Sequence, residues 1–312
     1  MAKKAYFYID DTIWVLRDLT RTQPASLFDV PLLNVLKKAH DRYGVKVQLN
    51  LFYRTDYFYG CDEFTLADVT DVYKSEWEEA SNWLKMAFHA KQEFPDYPHI
   101  NSSYEDIYGL FKDIEKEVFR FAGEKSFTYG VCPHWLPVSK PGVKALYDCG
   151  VRLLDATFGE THEYSGDPSS LPYGHAFRLL NNRQPETKVF SRLAKVGGKN
   201  TAIERSICGY NHLETEEICD RYSLNTVLDK ETGIRFKKFC TAPCLNLTDY
   251  DKLEEEFAKV TDKDFLGICD HEQYFYEDYF AYQPDYGEKI YKMGEIMTKA
   301  KYEFFFIEEL LK

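Results

Sequence analysis

Short apolar runs alternate with helical segments along the first half of the chain, and each run stops at polar residues. Residues 5–9 form such a run and end at two aspartates. Residues 31–43 carry apolar side chains at helical spacing and end before Gly44, a residue type that commonly terminates helices. A repeated strand–helix order predicts a mainly parallel sheet, or a barrel, wrapped by helices.

The same patterns predict the remaining elements. Strands are expected at 45–51, 84–88, 127–131, 151–156 and 265–269, and helices at 75–84, 104–121, 140–149, 249–260 and 286–311. Residues 158–245 interrupt the alternation with Gly, Pro and Asn clusters and with short β-like runs at 188–193 and 234–239. We therefore expect one α/β domain over residues 1–312, with an inserted β-rich subdomain or cover loops at 158–245.

Charge and hydropathy exclude some partners. The chain has 39 Lys and Arg against 51 Asp and Glu, a net charge of −12 that is spread along the sequence and would repel the phosphates of a nucleic acid. No apolar run approaches the roughly 18 residues of a membrane span, and the first residues lack a signal-peptide core. The sequence thus predicts a cytoplasmic protein that binds neither nucleic acid nor membrane, with a homo-oligomer left open.

The eight cysteines are scattered singly. Without an export signal we expect reduced thiols rather than disulfides. Cys240 and Cys244 are the nearest pair, but no second pair or histidine lies close to them in sequence. We interpret them as small buried apolar residues rather than as a structural zinc site.

Three strand ends carry residues that could perform chemistry. Asp10 and Asp11 follow the first strand, His89 follows the third, and residues 270–272 (Asp-His-Glu) follow the last. In α/β folds the carboxyl ends of parallel strands meet at one edge, where active sites lie. Two adjacent carboxylates repel each other unless a cation or a shared proton relieves them. One of the pair could bind a metal while its neighbour acts as a base.

The first strand also resembles a known family. Residues 6–12, Tyr-Phe-Tyr-Ile-Asp-Asp-Thr, look like the first motif of NodB-type polysaccharide deacetylases, carbohydrate esterase family 4. In that family the first aspartate is the general base and the second binds a divalent metal, so the resemblance implies that Asp10 is the base and Asp11 a ligand. We expect zinc as the preferred ion.

The other metal ligands of the family are two histidines one helical turn apart. Here His89 supplies the first, whereas Glu93 stands at the position of the second. The resemblance therefore implies His89 and Glu93 as ligands, and His99 or Asp96 could also complete the metal shell from the following loop. Carboxylate oxygen and imidazole nitrogen are both competent ligands for zinc-like ions.

Two later motifs are similar to those of the same family. Residues 132–150 correspond to its third motif, with His134 and Trp135 where the family has its arginine and groove aromatics, which implies a substrate-lining role. Residues 265–271 correspond to the strand whose final histidine protonates the leaving group, which implies His271 as the general acid. Glu272 and Tyr274 begin an aromatic, acidic segment that would contact a sugar.

The resemblance implies a distorted (β/α) barrel of NodB type with a β-rich insertion. It implies a metal-dependent hydrolase that removes N- or O-acetyl groups from a carbohydrate or glycoconjugate, with Asp10 deprotonating the attacking water and His271 protonating the departing group.

Two alternatives remain open. A glycoside hydrolase could use paired carboxylates, for which the sequence offers acids at positions 10, 11, 93, 270 and 272. A carbohydrate-binding protein could keep the fold without the chemistry.

Overall fold

A computed structural model describes residues 2–55, 63–94, 98–99, 102–136, 138–155, 222–230 and 232–312, with the backbone alone for 192–196 and 199–202. The strands are β1 Lys3–Thr12, β2 Val47–Phe52, β3 Leu84–Ala90, β4 Gly130–Val131, β5 Leu153–Asp155, β6 Arg192–Val196, β7 Lys199–Ala202, β8 Val227–Leu228, β9 Arg235–Lys237, β10 Phe265–His271 and β11 Tyr302–Phe304. The α-helices are α1 Trp14–Thr22, α2 Pro31–Tyr43, α3 Lys74–Ala80, α4 Tyr104–Phe121, α5 Lys140–Asp148, α6 Leu253–Ala258 and α7 Tyr286–Lys299. Short 3-10 helices include Leu245–Leu247, Glu272–Phe275 and Ile307–Leu311.

The main sheet is parallel. Its order is β10-β1-β2-β3, and β11 also pairs with the start of β1. The register places Asp10 beside His271 across the β1–β10 pair. The carboxyl ends of β1, β3 and β10 therefore lie at the same edge, as parallel pairing requires.

A second sheet has the order β4-β5-β9-β8, in which only the β8–β9 pair is antiparallel. An isolated parallel bridge joins Met86 of β3 to Phe127, just before β4. On the other side, the backbone N–H groups of Thr241 and Ala242 donate to the carbonyl of Gly267 in β10, at 2.9 and 3.0 Å. Hydrogen bonds thus link the two sheets at both margins.

Both faces of β1 are buried, which explains its nearly continuous apolar sequence. Ala5, Phe7 and Ile9 face the larger core, in which the helices cover the sheet. Tyr6 and Tyr8 point to the opposite face and join a smaller cluster that includes Cys132, Leu153, Phe239, Phe265 and Cys269. The second cluster draws on both sheets.

The predicted alternation of parallel strands and helices is confirmed, but several boundaries differ. Helix α1 was not expected. The closing segment 286–311 is not helical throughout, because the chain turns at Lys301, where φ is 62°, and Tyr302–Phe304 pairs with β1 as β11. Much of the expected insertion at 158–245 lies outside the described residues. Among the helices that the structure describes, none is long and apolar enough to cross a membrane.

Substitution of Gly267 can test how closely the segment after β9 approaches β10. A Cβ atom at this position would lie 1.5 Å from the carbonyl oxygen of Phe239, so Gly267→Ala should lower the free energy of unfolding by at least about 2 kcal/mol. Gly109 in α4 has no atom within 4 Å of the equivalent position, and Gly109→Ala should stabilise the protein by about 0.5–1 kcal/mol. Urea denaturation of both variants checks this pair, and equal effects would contradict the close approach.

Candidate functional site

A bulge at the end of β1 brings both aspartates to the same site. Successive side chains of a regular strand point to opposite faces. The β1–β2 register shifts between Ile9 and Thr12, and Asp11 has a φ of 63°, which is strained for a residue other than glycine. Both carboxylates consequently face His89: Asp10 Oδ1 lies 3.8 Å from Nδ1 of its ring, and Asp11 Oδ1 lies 3.1 Å from Nε2.

Three donor atoms form a triangle at this point. Asp11 Oδ1 lies 3.1 Å from His89 Nε2 and 3.1 Å from His134 Nδ1, and the two ring nitrogens are 3.1 Å apart. All three residues are buried. The second histidine comes from the segment after β4, which the sequence had not linked to a metal.

Hydrogen bonds on the far side of each ring fix which nitrogen faces the triangle. Nδ1–H of His89 donates to the Cys132 carbonyl at 2.6 Å, and Nε2–H of His134 donates to the Glu93 carbonyl at 3.0 Å. In the neutral rings, the nitrogens that face Asp11 therefore carry lone pairs. Three electron-rich atoms then meet at 3.1 Å, an arrangement that requires a metal ion or added protons between them.

The pKa shifts reflect the same convergence. Burial alone would raise the pKa of Asp11, but the charge of His134 and the hydrogen bonds that both histidines donate when protonated lower it well below its ordinary value. Burial would lower the pKa of His89, but the Asp10 and Asp11 carboxylates outweigh it and raise that pKa. The site thus favours negative charge on Asp11 and positive charge between the rings.

Buried amides orient both aspartates. Asn50 of β2 donates from Nδ2 to Asp10 Oδ1 at 2.7 Å, and Gln48 donates to Asn50 Oδ1 at 2.8 Å. Gln273 donates from Nε2 to Asp11 Oδ2 at 2.8 Å, which leaves Oδ1 directed at the histidines. Hydrogen bonds of this kind, from residues outside the first ring of ligands, typically orient side chains that bind a metal.

His271 lies on the opposite side of Asp10 from His89. Its Nδ1 is 3.0 Å from Oδ1 of Asn246. Burial disfavours the imidazolium, but a hydrogen bond with Cys244 and the charge of Asp11 outweigh that effect and raise the pKa of His271 well above its ordinary value. The ring is therefore held in a protonated form beside the aspartates.

Two of the predicted metal ligands have other contacts. Nε2–H of His99 donates to the His89 carbonyl at 2.9 Å, and burial lowers its pKa to about 3. His99 therefore supports the backbone of His89 as a neutral ring. The Glu93 carboxylate accepts from Gln273 at 2.9 Å, while its carbonyl holds His134. Asp96, the remaining alternative, lies outside the described residues.

The residues that were predicted to line the substrate groove lie in different surroundings. His134 belongs to the triangle, and the ring of Trp135 stands 6.0 Å from it at a steep angle. Glu272 is fully buried, and its carboxylate accepts the backbone N–H groups of Ile13, Trp14 and Val15 at 2.7–2.8 Å. It therefore caps the start of α1. Tyr274 packs between His271 and Tyr279, with ring centroids 6.3 and 5.1 Å away.

Asn50 and Gln273 were not among the predicted site residues. Asn50 had a signal, because β2 alternates apolar with polar residues although strands of a parallel sheet are usually buried on both faces. A polar residue inside such a strand needs a buried partner, and Asp10 is that partner. Gln273 lies two residues after His271 and had no comparable signal.

Comparison with known proteins does not assign the chain to a family. No protein-family model matches the chain, and no curated protein matches it significantly. The interpretation of the site therefore rests on its own geometry.

Asp155, at the end of β5, is a further buried carboxylate near this site. It accepts the backbone N–H of Phe239 at 2.8 Å and lies 3.5 Å from Sγ of Cys132. Burial raises its pKa from 3.8 to about 6. The folded state thus resists ionisation of this group.

The Asp155 shift predicts a pH-dependent stability. Its folded pKa lies above the unfolded value, so the stability present below pH 4 falls as the pH rises through about 6. Asp155→Asn should remove this loss and raise the free energy of unfolding by up to about 3 kcal/mol at pH 8, with a smaller gain at pH 5. Urea denaturation at both pH values measures the difference. Asp41→Asn, on the exposed face of α2, is the matched control, and an equal gain for Asp155→Asn at both values would contradict the assignment.

Proposed function

We propose that this protein is a metal-dependent hydrolase that removes acetyl or related acyl groups from a carbohydrate or glycoconjugate. The observation that carries the proposal is the triangle of Asp11 Oδ1, His89 Nε2 and His134 Nδ1, with Asp10 beside it. A buried metal-type donor set next to a second carboxylate provides a ligand site and a base within one pocket.

The donor set fits a zinc-like ion. Ligand atoms bound to one such ion at about 2.1 Å lie about 3.0–3.4 Å from one another, and the three observed separations are each 3.1 Å. Both histidines donate their outer N–H to a backbone carbonyl, the usual arrangement for imidazole ligands. Asp11, His89 and His134 would hold the ion.

The order of these residues supports the resemblance to NodB-type deacetylases. Asp10 and Asp11 correspond to the base and the metal-binding aspartate of that family, and His89 corresponds to its first histidine. The second histidine differs in origin, because His134 follows β4 whereas the family places it one helical turn after the first. The proposed ligand set has the composition expected for the family, one aspartate and two histidines, from a different set of loops.

Bound metal would polarise the acyl carbonyl as a Lewis acid. The protein's own residues supply the proton transfers. Asp10, with Oδ1 fixed by Asn50, would take the proton from the attacking water. His271, whose raised pKa keeps it protonated, would donate a proton to the departing amine or alcohol. The two groups are strand neighbours, on β1 and β10.

The proposed fold is a distorted (β/α) barrel. The Met86–Phe127 bridge and the hydrogen bonds to the Gly267 carbonyl support closure of the two sheets around the smaller core. Tyr6, Tyr8 and Phe239 would then fill the interior, as side chains do in small barrels.

A glycoside hydrolase is less well supported. Glu272 is fully buried and bound to three backbone N–H groups, and Asp270 is 1% exposed. Two of the five acids that this alternative could use are therefore engaged or buried, and Asp10, Asp11 and Glu93 remain. A non-catalytic binding protein would have no need for the buried amides that orient Asp10 and Asp11.

The ligand assignment can be tested on zinc content. Asp11→Asn and His134→Ala should each remove one bound equivalent relative to wild type and weaken the Kd by more than the roughly 10–100-fold typical of an outer-shell change. His99→Gln is the matched control and should retain the ion, because the His99 ring donates to the backbone carbonyl of His89 and not to an atom of the triangle. Zinc loss in His99→Gln with full retention in His134→Ala would contradict the triangle as the site.

The catalytic assignment can be tested on acetate release from acetylated sugars. Asp10→Asn should lower kcat/KM about 100-fold or more, because the amide cannot accept the proton, while the zinc content stays unchanged. Asp41→Asn, on the surface, should have wild-type activity. Release of reducing ends without acetate would favour the glycosidase, and no turnover by metal-loaded wild type on any acetylated sugar would count against the proposed reaction.

A further inference from the structure

A second group of side chains of types that can bind a metal lies beside the other carboxylate oxygen of Asp10. Cys269 and His271 are two residues apart on β10, so their side chains lie on the same face of the strand. Cys244 approaches them from the turn that precedes the 3-10 helix Leu245–Leu247. One ligand atom from each of the three residues lies within 4.8 Å of the other two.

The sequence pattern gave no indication of this pairing. Cys240 and Cys244 looked like the nearest pair, but Sγ of Cys240 faces the Ala242 carbonyl at 3.8 Å and does not belong to the group. The structure instead pairs Cys244 with Cys269, which follows it by 25 positions in the sequence. Folding of β10 against the segment after β9 creates the cluster.

The cluster is rich in polar contacts for a set of packed thiols. Asn246 Oδ1 lies 2.9 Å from Sγ of Cys244 and 3.0 Å from Nδ1 of His271. Sγ of Cys269 lies 3.6 Å from Oδ2 of Asp10. Two thiol sulfurs and an imidazole thus converge at one point beside Asp10, with an amide oxygen in contact with two of them.

We propose that Cys244, Cys269 and His271 form a second metal site, selective for thiophilic ions of the zinc, cadmium or copper(I) class. Two sulfurs and one imidazole are soft or borderline ligands, in contrast to the oxygen-containing set of Asp11, His89 and His134. Cys244 and His271 are each partly exposed, which gives an ion access, whereas Cys269 is buried. Two cysteines with one histidine also occur as a three-residue zinc set with one open position.

Metal binding at this second site would affect activity, because His271 is also the proposed general acid. Ligation of its imidazole would remove the proton that the proposed acid step requires, so excess thiophilic metal would inhibit hydrolysis. This consequence rests on the proposed function, whereas metal binding by the cluster does not.

The test uses cobalt(II) and cadmium(II) titration of the full chain under a reductant that does not bind metal. Wild type should develop the near-ultraviolet charge-transfer absorption of a thiolate–metal bond. Cys244→Ser and Cys269→Ser should lose it, with at least about a 100-fold weaker Kd. Cys149→Ser, at the end of α5, is the matched control and should retain it.

The two metal sites are distinguished by His134→Ala. That variant should keep the thiolate–metal absorption while losing the other equivalent. If the absorption is present but His134→Ala binds as much metal as wild type, the second site stands and the proposed hydrolase site fails. Absence of the absorption in reduced wild type overturns the second site. Its persistence in Cys244→Ser, with circular dichroism unchanged, overturns it as well.

Discussion

The site depends on the hydrogen bonds that the Glu272 carboxylate accepts from the backbone at the start of α1. The carboxylate joins the end of β10 to the first turn of α1, where three backbone N–H groups would otherwise lack partners. The bulge that carries Asp10 and Asp11 lies at the end of β1, just before that helix. Burial raises the pKa of this carboxyl, that of Glu272, to about 7, and the hydrogen bonds from the three backbone N–H groups oppose that rise.

Backbone carbonyls perform the equivalent task for the histidines. The Cys132 and Glu93 carbonyls determine which ring nitrogen of His89 and of His134 faces Asp11. These carbonyls belong to loops after β4 and β3, and the His89 carbonyl is itself bound by His99. The segment after β4 thus orients the histidine of β3, and the segment after β3 orients the histidine that follows β4. These reciprocal hydrogen bonds hold three ligand-type atoms together in a buried space.

Sequence periodicity predicted the parallel α/β organisation well, because apolar runs and helical spacing depend on local residues. It also placed Asp10, Asp11, His89 and His271 at one sheet edge, since parallel strand ends converge there. The remaining features depend on long-range geometry. His134 is 45 positions from His89, and only the path of the loop after β4 directs its ring toward Asp11. The strand β11 was missed because its aromatic residues continue an apolar pattern that helix and strand share.

The order of pairing around β1 bears on how the protein is made. The first strand forms its longest pairing with β10 and also pairs with β11, and Glu272 is 259 positions from Ile13. During synthesis, β1 therefore keeps an open edge until the chain through β10 and Glu272 has been made. Such an edge is prone to wrong pairing. The residues around Asp10 thus come together only after His271 has been made, long after Asp10 itself.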